Sequence, residues 1–183
     1  MARIPELRQD SMTEAQRKAH QEIVTGPHGR IVGPYHAWLQ SPEIASRARN
    51  LSEYIRFKSS LPKRLQELGI LIAGRFWKAD FEYWAHSRLA REAGVDATVI
   101  AAIAKKQRPV FKNADEGIVY DLCMELFETR RVSDKTYGAA LKLLGLPTLV
   151  ELVATIGYYS FVSMTLDAFE ISLPAGEASP FPD

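Results

Sequence analysis

The chain has 183 residues, with 23 Lys and Arg against 22 Asp and Glu, so its net charge of +1 offers no electrostatic basis for binding nucleic acid or an anionic membrane. Hydrophobic residues make up 46% and charged residues 25%, which excludes a disordered chain, and a domain of this length buries roughly 70% of its unfolded surface. The single cysteine, Cys123, excludes an internal disulfide, a two-thiol redox motif and a cysteine-based zinc site.

The opening stretch, MARIPELRQD, lacks an apolar core, so no signal peptide is expected. No window approaches 18 uninterrupted apolar residues, so no membrane-spanning helix is expected either. A soluble protein in a reducing, cytoplasmic setting follows as an expectation. Residues 1–12 and 173–183 read as extended ends of a single domain covering residues 1–183. The last stretch, LPAGEASPFPD, is expected to be loosely held because of its three prolines and glycine.

Between these ends nearly every segment reads as helix. Thr13 caps a helix from Glu14 to about Val24. Gly26, Pro27, Gly29, Gly33 and Pro34 then make a loop. Ser41-Pro42 is a start signal, and Ile44, Leu51, Tyr54 and Ile55 follow at helical spacing to about Lys58. Ser60 to Pro62 restarts the pattern, which Leu65, Leu68, Ile72 and Phe76 continue. After a break near Lys78–Asp80, a helix capped by Asp80 runs to Gly94. Asp96 starts a short helix to about Lys106, and Asn113 with Glu116 forms a capping-box-like start for a helix to about Thr129. Ser133 starts another that ends at Gly145, and Pro147 starts the last. No alternating strand pattern is long enough to compete, so the fold class is all-α, built from antiparallel helix pairs.

Two of these helices carry candidate chemistry. Between Leu68 and Trp77 only Arg75 is charged, so the helix over 61–77 is expected to be deeply buried. Its Gly69 and Gly74 each cost about 1 kcal/mol in a helix interior, and close helix–helix approach is the simplest compensation. Glu67 within it needs a partner, and Arg64 or Arg75 is the ordinary choice. In the next helix, Glu82 and His86 are four apart and share a face. A carboxylate beside an imidazole raises its pKa and orients its ring. Such a pair is either a solvated surface contact or, together with Glu67, a proton-transfer site of two carboxylates and a tunable base. Tyr83 and Trp84 read as core or interface aromatics, with Trp84 also a candidate substrate contact. Two carboxylates and one histidine form a thin ligand set, so no metal is expected, and no glycine-rich phosphate loop follows a strand.

The run Leu61-Pro62-Lys63-Arg64-Leu65-Gln66-Glu67-Leu68, followed by Glu82-Tyr83-Trp84-Ala85-His86 and then Ala90 and Gly94, resembles the signature of the carboxymuconolactone decarboxylase family, which includes the alkylhydroperoxidase D branch. Gly33-Pro34-Tyr35, Ser41-Pro42-Glu43, the segment from Val150 to Tyr159 and the Leu173-Pro174-Ala175-Gly176 tail extend the resemblance over nearly the whole chain.

The resemblance implies an alkylhydroperoxidase D-like helical domain, a homo-oligomer (trimer or hexamer), a small-molecule substrate and no cofactor. In the peroxidase branch a glutamate, a Cys-x-x-Cys pair and a histidine form the site. Glu67 and His86 match the glutamate and histidine, but the cysteine positions hold Ala79 and Glu82. The resemblance therefore points to the decarboxylase branch, with a small carboxylated lactone as substrate. In that reading His86 is the acid/base, Glu82 orients it or accepts a proton, and Glu67 holds the other side of the relay. Arg64 or Arg75 would meet the substrate carboxylate. The loop Gly29–His36 would close over the pocket with Tyr35 and His36 facing the ligand. Peroxidase chemistry at Cys123, or ligand binding without catalysis, are the alternatives. The aromatic last helix, with Tyr158, Tyr159, Phe161 and Met164, is the candidate oligomer interface.

Overall fold

The computed structural model describes residues 3–5 and 7–182. Met1, Ala2, Glu6 and Asp183, within the two ends read as extended, lie outside the described residues. A 3-10 turn at Gln9–Ser11 precedes eight helices: α1 (Glu14–Thr25), α2 (Tyr35–Trp38), α3 (Pro42–Phe57), α4 (Lys63–Trp77), α5 (Asp80–Glu92), α6 (Ala97–Ala104), α7 (Ala114–Thr129) and α8 (Asp134–Ala168). No strand occurs among the described residues. The chain forms two compact units. One comprises the described residues up to Ser59 together with Thr165–Ser172, and the other Ser60–Met164 with the described residues from Leu173 on.

In the first unit, α1 and α2 both pack on α3. The Thr13 side chain accepts from Gln16 N, and the Gln16 side chain accepts in return from Thr13 N, so α1 starts in a capping box. Arg49 of α3 pairs with Glu53 at 2.6 Å and lies 3.6 Å from Glu22 of α1. The expected loop over 29–36 is cut short. Pro34 presets a helical φ of −65°, and Tyr35 and Trp38, three apart, bury one face of α2.

In the second unit α4 is the central helix, flanked by α5, α6 and α7. Every residue from Leu65 to Arg75 is buried, as its apolar sequence requires. Gly69 gives α8 room to pack: a Cβ there would stand 3.2 Å from Ile156 Cγ2 and 3.4 Å from Leu152 Cδ1. Gly74 is under less pressure, with the α5 backbone at Tyr83 3.6 Å from where its Cβ would be. The α4–α5 turn is made by Lys78 at φ 62°, a left-handed conformation reached without glycine. Ala79, not Asp80, then occupies the cap position of α5, and Asp80 instead accepts a hydrogen bond from Ser179 Oγ. Asp96 does cap α6, accepting from Thr98 N at 2.9 Å. Asn113 makes no backbone cap on α7. Its amide donates to Glu116 Oε2 at 3.2 Å instead.

Helix α8 is broken where expected. Gly145 at φ 72°, ψ 162° interrupts it, and Pro147 opens the second stretch. An 18-residue window of α8 reaches a mean hydropathy of 1.7, so by length and composition alone this helix is long enough to cross a membrane. Thr155, Gly157 and Ser160 interrupt its apolar run without adding charge. The final segment is extended but not loose. Phe181 is buried, 5.0 Å from the Tyr83 ring and 4.4 Å from the Arg75 guanidinium.

Candidate active site

His86 is on the second turn of α5, one turn after Glu82, and α5 folds back on α4 so that the same imidazole meets Glu67. Nδ1 lies 2.6 Å from Glu67 Oε2. Nε2 lies 2.9 Å from Glu82 Oε1. All three residues are buried, with 6% or less of their surface exposed. The two contacts are not equivalent. The one to Glu67 is an aligned hydrogen bond, whereas Glu82 Oε1 sits off the N–H axis and is a buried acceptor with no aligned donor among the described residues.

Burial by itself lowers the imidazole's pKa. The charges of Glu82 and Glu67, with the hydrogen bond to Glu67, outweigh burial and raise it to about 9. His86 is therefore an imidazolium at neutral pH, flanked by two carboxylates. Glu82 in the first turn of α5 is also stabilised by the helix dipole. An imidazolium between two carboxylates is a proton reservoir in which one proton can be drawn toward the open acceptor, Glu82, while Glu67 fixes the ring.

The structure thus joins Glu67, Glu82 and His86. Glu67 pairs with His86, not with either arginine. Arg64 is taken by α7, at 2.6 Å from both Asp115 and Glu116, and is not left for a substrate carboxylate. Two carboxylates on its fork, one of them fully buried, make it a structural cation. Arg75 donates from Nε to Ala104 O at 2.7 Å, at the end of α6. Trp84 is half-buried beside Phe81. Two residues along a helix is about 200° of rotation, so it stands away from the face that carries Glu82 and His86. Tyr35 and His36 belong to the other unit, in α2 rather than a loop. Tyr35 is buried against His28 and Trp38, and His36 is exposed.

Tyr159 belongs to the site and not to a surface. Expected at an oligomer interface, it is instead 4% exposed and meets the His86 ring edge-on at 5.0 Å. Tyr158 is buried too, so neither tyrosine offers surface to a second copy. The signal lay in the helical register of α8, where Leu152, Ile156 and Tyr159 share the face turned to α4. Cys123 is fully buried on α7, and burial pushes its thiol up to about 12. Among the described residues no three His, Cys, Asp or Glu side chains are arranged to hold a metal ion.

No protein-family model matches the chain, and no curated protein matches it in sequence. Among solved structures it is similar to an uncharacterized peroxidase-related protein from Silicibacter sp. TM1040, at 12% identity and a TM-score of 0.76, over 95% of this chain and 92% of that one. At that identity the likeness is one of fold. The chain therefore has the all-α architecture that its sequence implied and shares the fold of that structure.

Proposed function

We propose that the chain is a thiol-independent acid–base enzyme that decarboxylates a small carboxylated or lactone-type metabolite, as the resemblance to the carboxymuconolactone decarboxylase family implies. The observation that carries this reading is the buried His86 imidazolium between Glu67 and Glu82. In the reaction the bond from carbon to the carboxylate breaks and carbon dioxide leaves. The electron pair stays on the substrate as an enolate or dienolate. A proton from the His86–Glu82 pair then replaces the lost carboxylate, and water returns a proton to the site. Positioned proton donors of this kind contribute about 10²–10⁴-fold.

The test is carbon dioxide release from 4-carboxymuconolactone by the purified protein, run in deuterium oxide to follow the incoming proton. Release with deuterium at the vacated carbon, abolished in His86→Ala, supports the reading; release retained in His86→Ala overturns it. Peroxide reduction is the second reading, favoured by the peroxidase-related description of the structural neighbour. It requires Cys123, whose burial and raised pKa speak against it. Peroxide consumption unchanged in Cys123→Ser removes it. Saturable ligand binding with no product at any pH would point instead to a binding protein on the same scaffold.

The proposed setting is cytoplasmic and homo-oligomeric. Support for a trimer or hexamer comes from an exposed apolar row on α8, where Leu146, Val150, Val153, Phe161 and Met164 recur at spacings of three, four and eight. A solution mass equal to the 20.5 kDa monomer would remove it.

A further inference from the structure

Away from the acid–base cluster, α4, α6 and α7 enclose a cavity of about 380 Å³. That volume falls in the range for ligand sites, roughly 300–1,000 Å³. None of Glu67, Glu82 and His86 lines it. Its apolar wall comes from Ile72 and Phe76 of α4, Ile103 of α6 and Met124 of α7. Tyr120, one turn before Met124 on the same face of α7, completes that wall.

Tyr120 is 9% exposed, with its ring beside Phe111 and under the Arg108 guanidinium. Its hydroxyl makes no hydrogen bond among the described residues, yet protein does not seal it off as it does Arg75 Nη1. The contrast is with Tyr83, whose hydroxyl donates to Ile100 O of α6 at 2.6 Å. A tyrosine hydroxyl this far inside a protein ordinarily has a partner, and a missing one is costly. Burial outweighs the nearby Arg108 charge and raises the pKa of Tyr120, so the group keeps its proton and needs an acceptor. The cavity that this side chain lines is where an acceptor fits.

The charges around the cavity argue against an ionised ligand. Lys106 and Glu128, of opposite sign, are exposed at its mouth. Arg75 in the wall donates from Nε to Ala104 O, lies against Phe181 and has the Asp80 carboxylate to offset it. Arg108 is paired with Asp121, and Arg130 is exposed beside the Phe76 ring. An ionised group moved into the cavity would lose water without gaining a dedicated counter-charge.

We infer that this cavity binds an uncharged molecule with an apolar body and a carbonyl oxygen (a ketone, aldehyde or ester), the oxygen accepting a hydrogen bond from Tyr120 Oη and the body lying against Ile72, Phe76, Ile103 and Met124. The site does not depend on what the acid–base cluster catalyses.

Met124 gives a direct readout, because the chain has only four methionines and Met12 and Met164 do not line the cavity. Protein carrying ¹³C-methyl methionine is titrated separately with acetophenone, with α-methylstyrene, in which a methylene replaces the carbonyl oxygen, and with benzoate. The expected result is a saturable shift of the Met124 resonance by the ketone, and weaker binding of benzoate. Tyr120→Phe keeps the ring and removes only the hydroxyl. It should weaken the ketone about three- to tenfold and leave the affinity for α-methylstyrene unchanged. A Met124 resonance unmoved at 10 mM ketone, roughly the upper end of useful titration, overturns the inference. So does ketone affinity unchanged in Tyr120→Phe, an equal loss for ketone and α-methylstyrene, or benzoate binding as tightly as the ketone.

Discussion

His86 is held by opposing effects, since the burial that would discharge it is outweighed by the two carboxylates that keep it charged. Its folded pKa of about 9 lies above the ordinary 6.5, so the charged form stabilises the fold. That contribution is complete below about pH 6.5 and is lost as pH rises through about 9. The difference corresponds to on the order of 3 kcal/mol. Urea unfolding at pH 6.5 and pH 10 should show such a loss in the native protein, and a His86→Gln variant should show a much flatter dependence. An unchanged slope between the two proteins would remove the imidazolium from the site. At this scale the sequence was partly legible. The four-residue spacing of Glu82 and His86 put them on one face, and the family resemblance supplied Glu67. Tyr159 was not legible as a site residue, because only the packing of α8 on α4 brings it to the ring.

Helix packing sets a different kind of limit. Gly69 is a contact point between α4 and α8, and Gly138, also helical, has nothing within 4 Å of where a Cβ would be. The two glycines therefore predict opposite responses. Gly138→Ala removes backbone freedom from the unfolded chain and should stabilise by about 0.5–1 kcal/mol. Gly69→Leu forces a side chain against Ile156 and Leu152 and should cost about 1–3 kcal/mol or more. Thermal melts of the two variants check both signs. Helix identity was readable in nearly every case, since the spacing of apolar residues and caps such as Thr13 and Asp96 act locally. The ends were less so. Lys78 and Arg130 stop α4 and α7 in left-handed conformations at φ 62° and 66°, where a glycine would have been the signal. Asp80 could have capped α5, but the tail residue Ser179, about a hundred positions away, uses it instead.

Over the whole molecule, long-range contacts decide what local composition could not. Three prolines and a glycine made the last stretch look loose, yet Phe181 is fixed between Tyr83 and Arg75. Similarly, Arg64 looked available for a ligand until α7 brought Asp115 and Glu116 to it. The lone thiol is governed by the same burial. Cys123 has no exposed surface, and its proton is held to about pH 12. The folded protein should therefore be silent to Ellman's reagent at pH 8 and release one equivalent of colour in denaturant. A full equivalent within seconds under native conditions would contradict the burial of α7. Because the native chain contributes no background, a cysteine placed at an exposed position such as Lys105 would be the only labelled atom, and a fluorophore could be attached there without first deleting Cys123. Left unlabelled, Cys123 becomes a clock. The slow rate at which native protein takes up the reagent counts the rare openings of its core.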